Sequence, residues 1–222
     1  MQYFDVFNGD ADGLIARHQY RLSFPLPPER VKLITGCKRE IALLSRVDAG
    51  ADADLSVFDL SYDQNAAAVR GLLDRGASIR YFDHHRASQL RPAPQFEAHI
   101  DTSPATCTSL IVDRYLNAAH HTWAIAAAFG DNLTIIAQTL ALNAGLSGAK
   151  SAALRDLGEC LNYNAYGASV TDLFFAPDEI ARRMRKFADP FEFMVREDIV
   201  ARLRSGLAAD MRCAESIGAM HA

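Results

Sequence analysis

Four short apolar runs in the first 85 residues, each followed by a polar break, constrain this chain more than anything else in it. The runs "YFDVF" (3–7), "VKLIT" (31–35), "LSVFDL" (55–60) and "SIRYF" (78–82) carry the aromatic and β-branched residues of strands. Between them the spacing predicts helices over 13–22, 38–47 and 64–75. Strands joined by helical crossovers run parallel, so the expected fold is α/β: a doubly wound, mainly parallel sheet with helices on both faces. Pro25, Pro27 and Pro28 break the chain between the first helix and the second strand.

From about Ala105 the pattern is helical, over 105–118, 123–142 and 150–161. The stretch "NYNAYGASVTDLFFAPDE" separates these from a last helical part, where Ile180, Met184 and Phe187 mark one apolar face and Ile199, Leu203 and Leu207 another. The expected organisation is an α/β domain over 1–160 and a helical C-terminal part over 161–222. The latter reads as an extension or as the start of a truncated second domain.

Half of the 222 residues are hydrophobic, enough for a substantial core, and the net charge is −4. That balance speaks against a general duplex-DNA binder, while a local basic pocket still permits short or small anionic substrates. Cys37, Cys107, Cys160 and Cys213 lack paired spacing, which excludes a CxxC zinc or redox motif and a disulfide framework. The start "MQYFDVFNGD" lacks the basic segment of a signal peptide, and no apolar run reaches the ~18 residues of a membrane span, so a cytoplasmic location is expected.

The acids fall at strand ends. Asp10 and Asp12 follow the first strand in "NGDADG", Asp59 closes the third in "VFDL", and Asp83, His84 and His85 close the fourth in "YFDHH". In a doubly wound sheet the carboxyl ends of the parallel strands open onto one crevice, where ligands bind. Carboxylates gathered there repel unless positive charge sits among them. Oxygen ligands with imidazole suit Mn²⁺ or Mg²⁺. Gly9 and Gly13 fit a tight turn that brings backbone close to a ligand.

In their order and spacing, "NGDADG", the Asp of "VFD", "FDHH" and the later "FGDN" resemble the four motifs of the DHH phosphoesterase superfamily, over residues 3–143. The resemblance implies a hydrolase of phosphoester or phosphoanhydride bonds that uses two divalent cations, Mn²⁺ favoured and Mg²⁺ possible. It implies Asp10 on the first cation, Asp12 on the second, Asp59 bridging both, and His84 and Asp131 completing the second. His85 would face the scissile phosphate or the leaving oxygen, and Asp83 would orient the histidines. A metal-bridging hydroxide would then attack phosphorus in line. The expected substrate is a nucleotide or a short single-stranded oligonucleotide; polyphosphate or pyrophosphate hydrolysis, or a non-catalytic nucleotide-binding module, are the alternatives. No membrane or duplex-DNA partner is expected.

Two departures from the pattern stand out. Where many members place a His four residues before the first Asp, and the exonuclease branch an Asp two before it, this chain has Val6 and Asn8. Asn8 offers a neutral oxygen, a weaker ligand for the first cation, and Asp5 is expected to face away. The superfamily's second domain carries a "GGGH"-like substrate loop, whereas this chain has no Gly-Gly pair and ends in "ESIGAMHA" on a helical pattern.

Arg86, Lys38 and Arg39 follow strand ends and are candidates for phosphate contacts, the alternative being solvated cations. "ARRMRKF" (181–187) reads as the polar face of an amphipathic helix rather than a nucleic-acid stripe. His120 and His121 read as surface residues, and Thr106, Thr108 and Ser109 as helix-capping residues. Trp123, Tyr163 and Tyr166 are assigned to packing in preference to base stacking.

Overall fold

A computed structural model describes residues 1–219; the last three residues of the tail, 220–222, lie outside the described residues. The chain runs β1 (Gln2–Phe7), α1 (Ala11–Ser23), β2 (Val31–Ile34), β3 (Ala53–Phe58), α2 (Tyr62–Asp74), β4 (Ser78–Asp83) and β5 (Phe96–Ile100). It continues as α3 (Thr108–Tyr115), α4 (His121–Gly130), α5 (Thr134–Asn143), α6 (Gly148–Asn164), α7 (Pro177–Met184), α8 (Pro190–Arg196) and α9 (Ile199–Ala219). Among the described residues no helix is long and apolar enough to cross a membrane.

The strands form one sheet in the order β2-β1-β3-β4-β5, with every neighbouring pair parallel. Strand side chains alternate between faces, and each face has its own apolar cluster. Phe4, Val6, Leu55, Val57, Ile79 and Tyr81 pack with Leu72 and Leu73 of α2 and with Leu43 and Leu44. Phe7, Phe58 and Phe82 pack on the other face with Leu14 and Ile15 of α1, Val112 of α3 and Ile125 of α4. The strand order reverses between β1 and β3, which opens a crevice at their carboxyl ends. The doubly wound, parallel α/β expectation holds.

Several local details differ from expectation. Residues 38–47 form no α-helix, only a short 3-10 turn at Leu43–Arg46. Their backbone groups are bonded elsewhere: Lys38 N–H donates to Ala165 O (3.0 Å), Leu44 N–H to Asn65 Oδ1 (3.2 Å), and Ile41 O accepts from Asn65 Nδ2 (2.7 Å). The helix expected over 123–142 breaks at Asn132, whose φ is 61°, so that Asp131 caps the end of α4. β5, unanticipated after the Pro-rich 92–94, adds a half-buried edge strand paired with β4. The helix expected over 105–118 is shorter, ending before Asn117 and Ala118, both in the left-handed region (52° and 59°).

The C-terminal helices complete the second cluster. Leu154, Leu157 and Leu161 of α6, Ile180 and Met184 of α7, Phe193 of α8 and Leu203 of α9 belong to the same apolar body as Phe7 and Leu14. Two contacts fix this docking. At Gly158 an added Cβ would lie 2.0 Å from Ala126 O and 2.7 Å from Gly130 N, so α6 and α4 touch backbone to backbone just before Asp131. Deep in the interface, His18 Nε2 meets Phe187 O at 2.9 Å and its ring packs edge-on against Trp123 at 4.6 Å.

Gly158→Ala should therefore lower stability by about 1–3 kcal/mol through overpacking, measured by urea unfolding. Gly148→Ala, whose Cβ meets nothing, should not. Burial also lowers the His18 pKa from 6.5 to about 3, against the opposing hydrogen bond to the Phe187 carbonyl. The folded protein keeps His18 neutral while the unfolded chain binds a proton below pH 6.5, so this contribution falls with pH from 6.5 towards 3. Between pH 7.5 and pH 5 the unaltered protein should lose about 2 kcal/mol more than His18→Gln; equal losses would mean that His18 is not held neutral.

Candidate metal centre

The loop after β1 is built by its own side chains. Asn8 Oδ1 accepts the Asp10 N–H (3.2 Å), and Asp10 Oδ1 accepts the N–H groups of Asp12 and Gly13 (both 3.1 Å), capping α1. A Cβ at Gly13 would stand 2.3 Å from Asn8 O, so only glycine permits this turn. Asp12 points from the first turn of α1 at the start of α3, where its two oxygens accept the Thr108 and Ser109 N–H groups, both at 2.7 Å. These are donors that a helix N-terminus leaves unpaired.

Asp59 follows β3 in the left-handed conformation, with φ of 57°, unusual for a residue with a side chain. Its N–H still bonds Phe82 O (3.0 Å), so the β3–β4 ladder continues while the chain turns. Asp59 Oδ1 accepts the Thr108 hydroxyl (3.0 Å) and lies 3.4 Å from His84 Nε2. The same nitrogen is 3.9 Å from Asp131 Oδ2 and 4.0 Å from Asp12 Oδ2. His84 Nε2 thus faces three carboxylates drawn from α1, β3 and α4. His85 Nδ1 binds Asp83 Oδ1 at 2.7 Å and lies 3.8 Å from Asp59 Oδ1. Asp83 Oδ2 is buried without a hydrogen-bond partner.

Crowding shows in the acidities. Burial first, then the charges of Asp10 and Asp12, push Asp59 well above the usual carboxylate range. Burial and Asp12 raise Asp131 to about 7. Burial opposes the charged form of His84, yet the bond to Asp59 and the charges of Asp12, Asp59 and Asp131 raise it to about 10. An excess of negative charge that draws a proton to imidazole also draws a divalent cation. Ligand atoms of Asp12, His84 and Asp131, and of Asp59, His84 and His85, lie within 4.8 Å of one another in each set. Carboxylate oxygen with imidazole fits Mn²⁺ or Mg²⁺. The nearby Cys107 thiol is buried and its pKa raised by that burial, so it does not compete as a thiolate.

The residues expected at the site separate into groups. Asp12, Asp59, Asp131, His84 and His85 converge, and Asp83 holds His85. Asp10 and Asn8 lie outside both ligand sets: Asp10 Oδ2 is paired with Lys38 Nζ (2.7 Å), and the Asn8 oxygen is turned to the Asp10 N–H. Arg39 and Arg86 are exposed. Asp5 faces α1, where it is paired with Arg17 (2.7 Å) and Arg21 (2.5 Å). His121 is bonded to Asp113 and His120 to Ser23. Thr108 reads in the sequence as a helix cap, but its hydroxyl binds Asp59; "TCTSL" carries no local sign of that, because the partner is 49 residues away.

No protein-family model matches the sequence, and no curated protein matches it. Among solved structures it is similar to the exonuclease RecJ bound to manganese, with 13% identity, a TM-score of 0.60, and coverage of 97% of this chain and 63% of that one. It is similar to RecJ of Thermus thermophilus in complex with Mn²⁺ (16%, 0.56, 97% and 36%). It is also similar to the DHH domain of a member of the s1p family of ribosomal proteins (13%, 0.61, 95% and 57%). The chain thus has the fold of DHH-domain structures and spans less than two thirds of the length of each of these relatives.

Thr108→Val removes the hydroxyl from Asp59 without changing the shape of the side chain. Mn²⁺ affinity, followed by calorimetry, should fall about 10- to 100-fold, as for other residues that orient a metal ligand. His120→Ala should leave it unchanged.

Proposed function

We propose that the protein is a divalent-cation-dependent phosphoester hydrolase acting on a nucleotide or a short single-stranded oligonucleotide. The observation that carries this reading is His84 Nε2 standing within 4.0 Å of Asp12, Asp59 and Asp131 at the carboxyl edge of a parallel sheet. A cation there, Mn²⁺ favoured and Mg²⁺ possible, supplies positive charge for the phosphoryl oxygens and lowers the pKa of an attacking water. Asp12, Asp59, His84 and Asp131 are the residues that would hold it.

The remaining groups orient and move protons. His85, fixed through Nδ1 by Asp83, keeps Nε2 for the leaving oxygen, to which it delivers a proton. Asp83 sets the ring direction. Lys38, Arg39 and Arg86 are assigned to phosphate oxygens. The net charge of −4 suits a short substrate better than a long duplex, and the likeness to exonuclease RecJ favours an oligonucleotide over polyphosphate or pyrophosphate.

A panel of short single-stranded oligonucleotides, nucleotides, pyrophosphate and polyphosphate, assayed with Mn²⁺, tests the reading. Oligonucleotide or nucleotide cleavage is expected, abolished by a chelator and by Asp59→Ala. His85→Asn should lower kcat about 10²- to 10⁴-fold, the usual contribution of a positioned acid. Cleavage of polyphosphate or pyrophosphate alone would reassign the substrate. Tight nucleotide binding with no turnover would make the protein a binding module.

A further inference from the structure

We infer that Lys38 brings to Asp10, as an ammonium, the positive charge that a second metal ion would otherwise bring, so that the centre takes one divalent cation per chain. The inference rests on the hydrolase reading of the site and specifies its metal content. Asp10 has little left to offer a metal. Its Oδ1 caps α1 through two N–H groups, and its Oδ2 is 2.7 Å from Lys38 Nζ. Asn8, which could have lent an oxygen beside it, spends that oxygen on the Asp10 N–H.

Lys38 is seated rather than merely nearby. Nζ also donates to Asn162 Oδ1 at 2.9 Å and lies 5.5 Å from the centroid of the Tyr166 ring. The Lys38 N–H is bonded to Ala165 O at 3.0 Å, and the Lys38 carbonyl accepts from Asn8 Nδ2 at 3.4 Å. A carboxylate, an amide oxygen and an aromatic face, on residues from two separate parts of the chain, thus surround one ammonium. Burial works against its charge, but Asp10, and more distantly Asp131, hold the Lys38 pKa above its ordinary value.

The charges then come close to balance. Asp10, Asp12, Asp59 and Asp131 bring four negative charges, which one divalent ion and one ammonium nearly offset. A second divalent ion on Asp10 would sit against the ammonium, and the two would repel. An ammonium has three donors; Asp10 and Asn162 take two, and the third serves an oxygen of the substrate phosphate.

Mn²⁺ titration of the full chain, read by metal analysis and by electron paramagnetic resonance, decides the matter without any variant. The expected result is one Mn²⁺ per chain at saturation with the six-line spectrum of an isolated ion. Lys38→Met combined with Asn8→Asp frees Asp10 Oδ2 and adds a carboxylate oxygen at position 8, and should take a second ion with an exchange-coupled spectrum. Two coupled ions in the unaltered protein would overturn the inference and leave the hydrolase reading standing. A folded double variant, verified by its melting curve, that still took one ion would overturn it as well. No Mn²⁺ bound to the unaltered chain would defeat the metal reading of the site and this inference with it.

Discussion

Mutual repulsion among carboxylates brought to one sheet edge is the constraint around which the rest of this molecule is arranged. Asp10, Asp12, Asp59 and Asp131 are each mostly or wholly withdrawn from water, where charge is costly unless it is paired or hydrogen-bonded. Each is met by a different device. Asp10 receives the first amides of α1 and the Lys38 ammonium; Asp12 receives the first amides of α3. Asp59 receives a hydroxyl from Thr108, and His84 stands among the others. Asp59 and Asp131 nonetheless keep pKa values above their ordinary ones, which marks the charge still to be met.

The sheet makes this concentration possible because its two faces are insulated from its edge. Phe58 and Phe82, stacked with centroids 5.6 Å apart, fill the α1 face directly beneath Asp59 and Asp83. Asp59 turns over them by adopting the left-handed conformation, a strained choice of the kind that persists where the surroundings enforce it. On that same face, α6 is pressed against α4 at Gly158, which fixes the end of α4 and with it Asp131. The geometry of the site is thus carried by packing contacts made some distance from the polar groups.

Much of this was legible in the chain itself. Short apolar strand runs, three of them ended by an acid, were enough to place Asp12, Asp59, His84 and His85 on one edge, because the carboxyl ends of parallel strands share it. What escaped depended on partners remote in sequence. Residues 38–47 have a helical pattern, yet Asn65 and Ala165 take the backbone groups a helix would need. "FGDNLTII" contains no proline or second glycine to announce the break at Asn132. Thr108 looks like any residue opening a helix. Lys38 was legible as a cation near the crevice but not as the partner of Asp10, because the other half of its seat, Asn162, lies 124 residues further on.

That distance has a consequence for the order in which the molecule becomes competent. Lys38 is anchored at Nζ by Asn162 and at its N–H by Ala165, both at the end of α6. On the ribosome the sheet's first four strands and all of "NGDADG" and "FDHH" emerge well before those anchors. Until about residue 165 is available, Lys38 has Asp10 and Asn8 to bind but lacks the amide oxygen, the carbonyl and the ring that seat it. A growing chain therefore carries the recognisable motifs before it carries the residues at the end of α6 that seat Lys38. The seated counter-charge of Asp10 thus waits on residues 162–166, far along the chain from the motifs it serves.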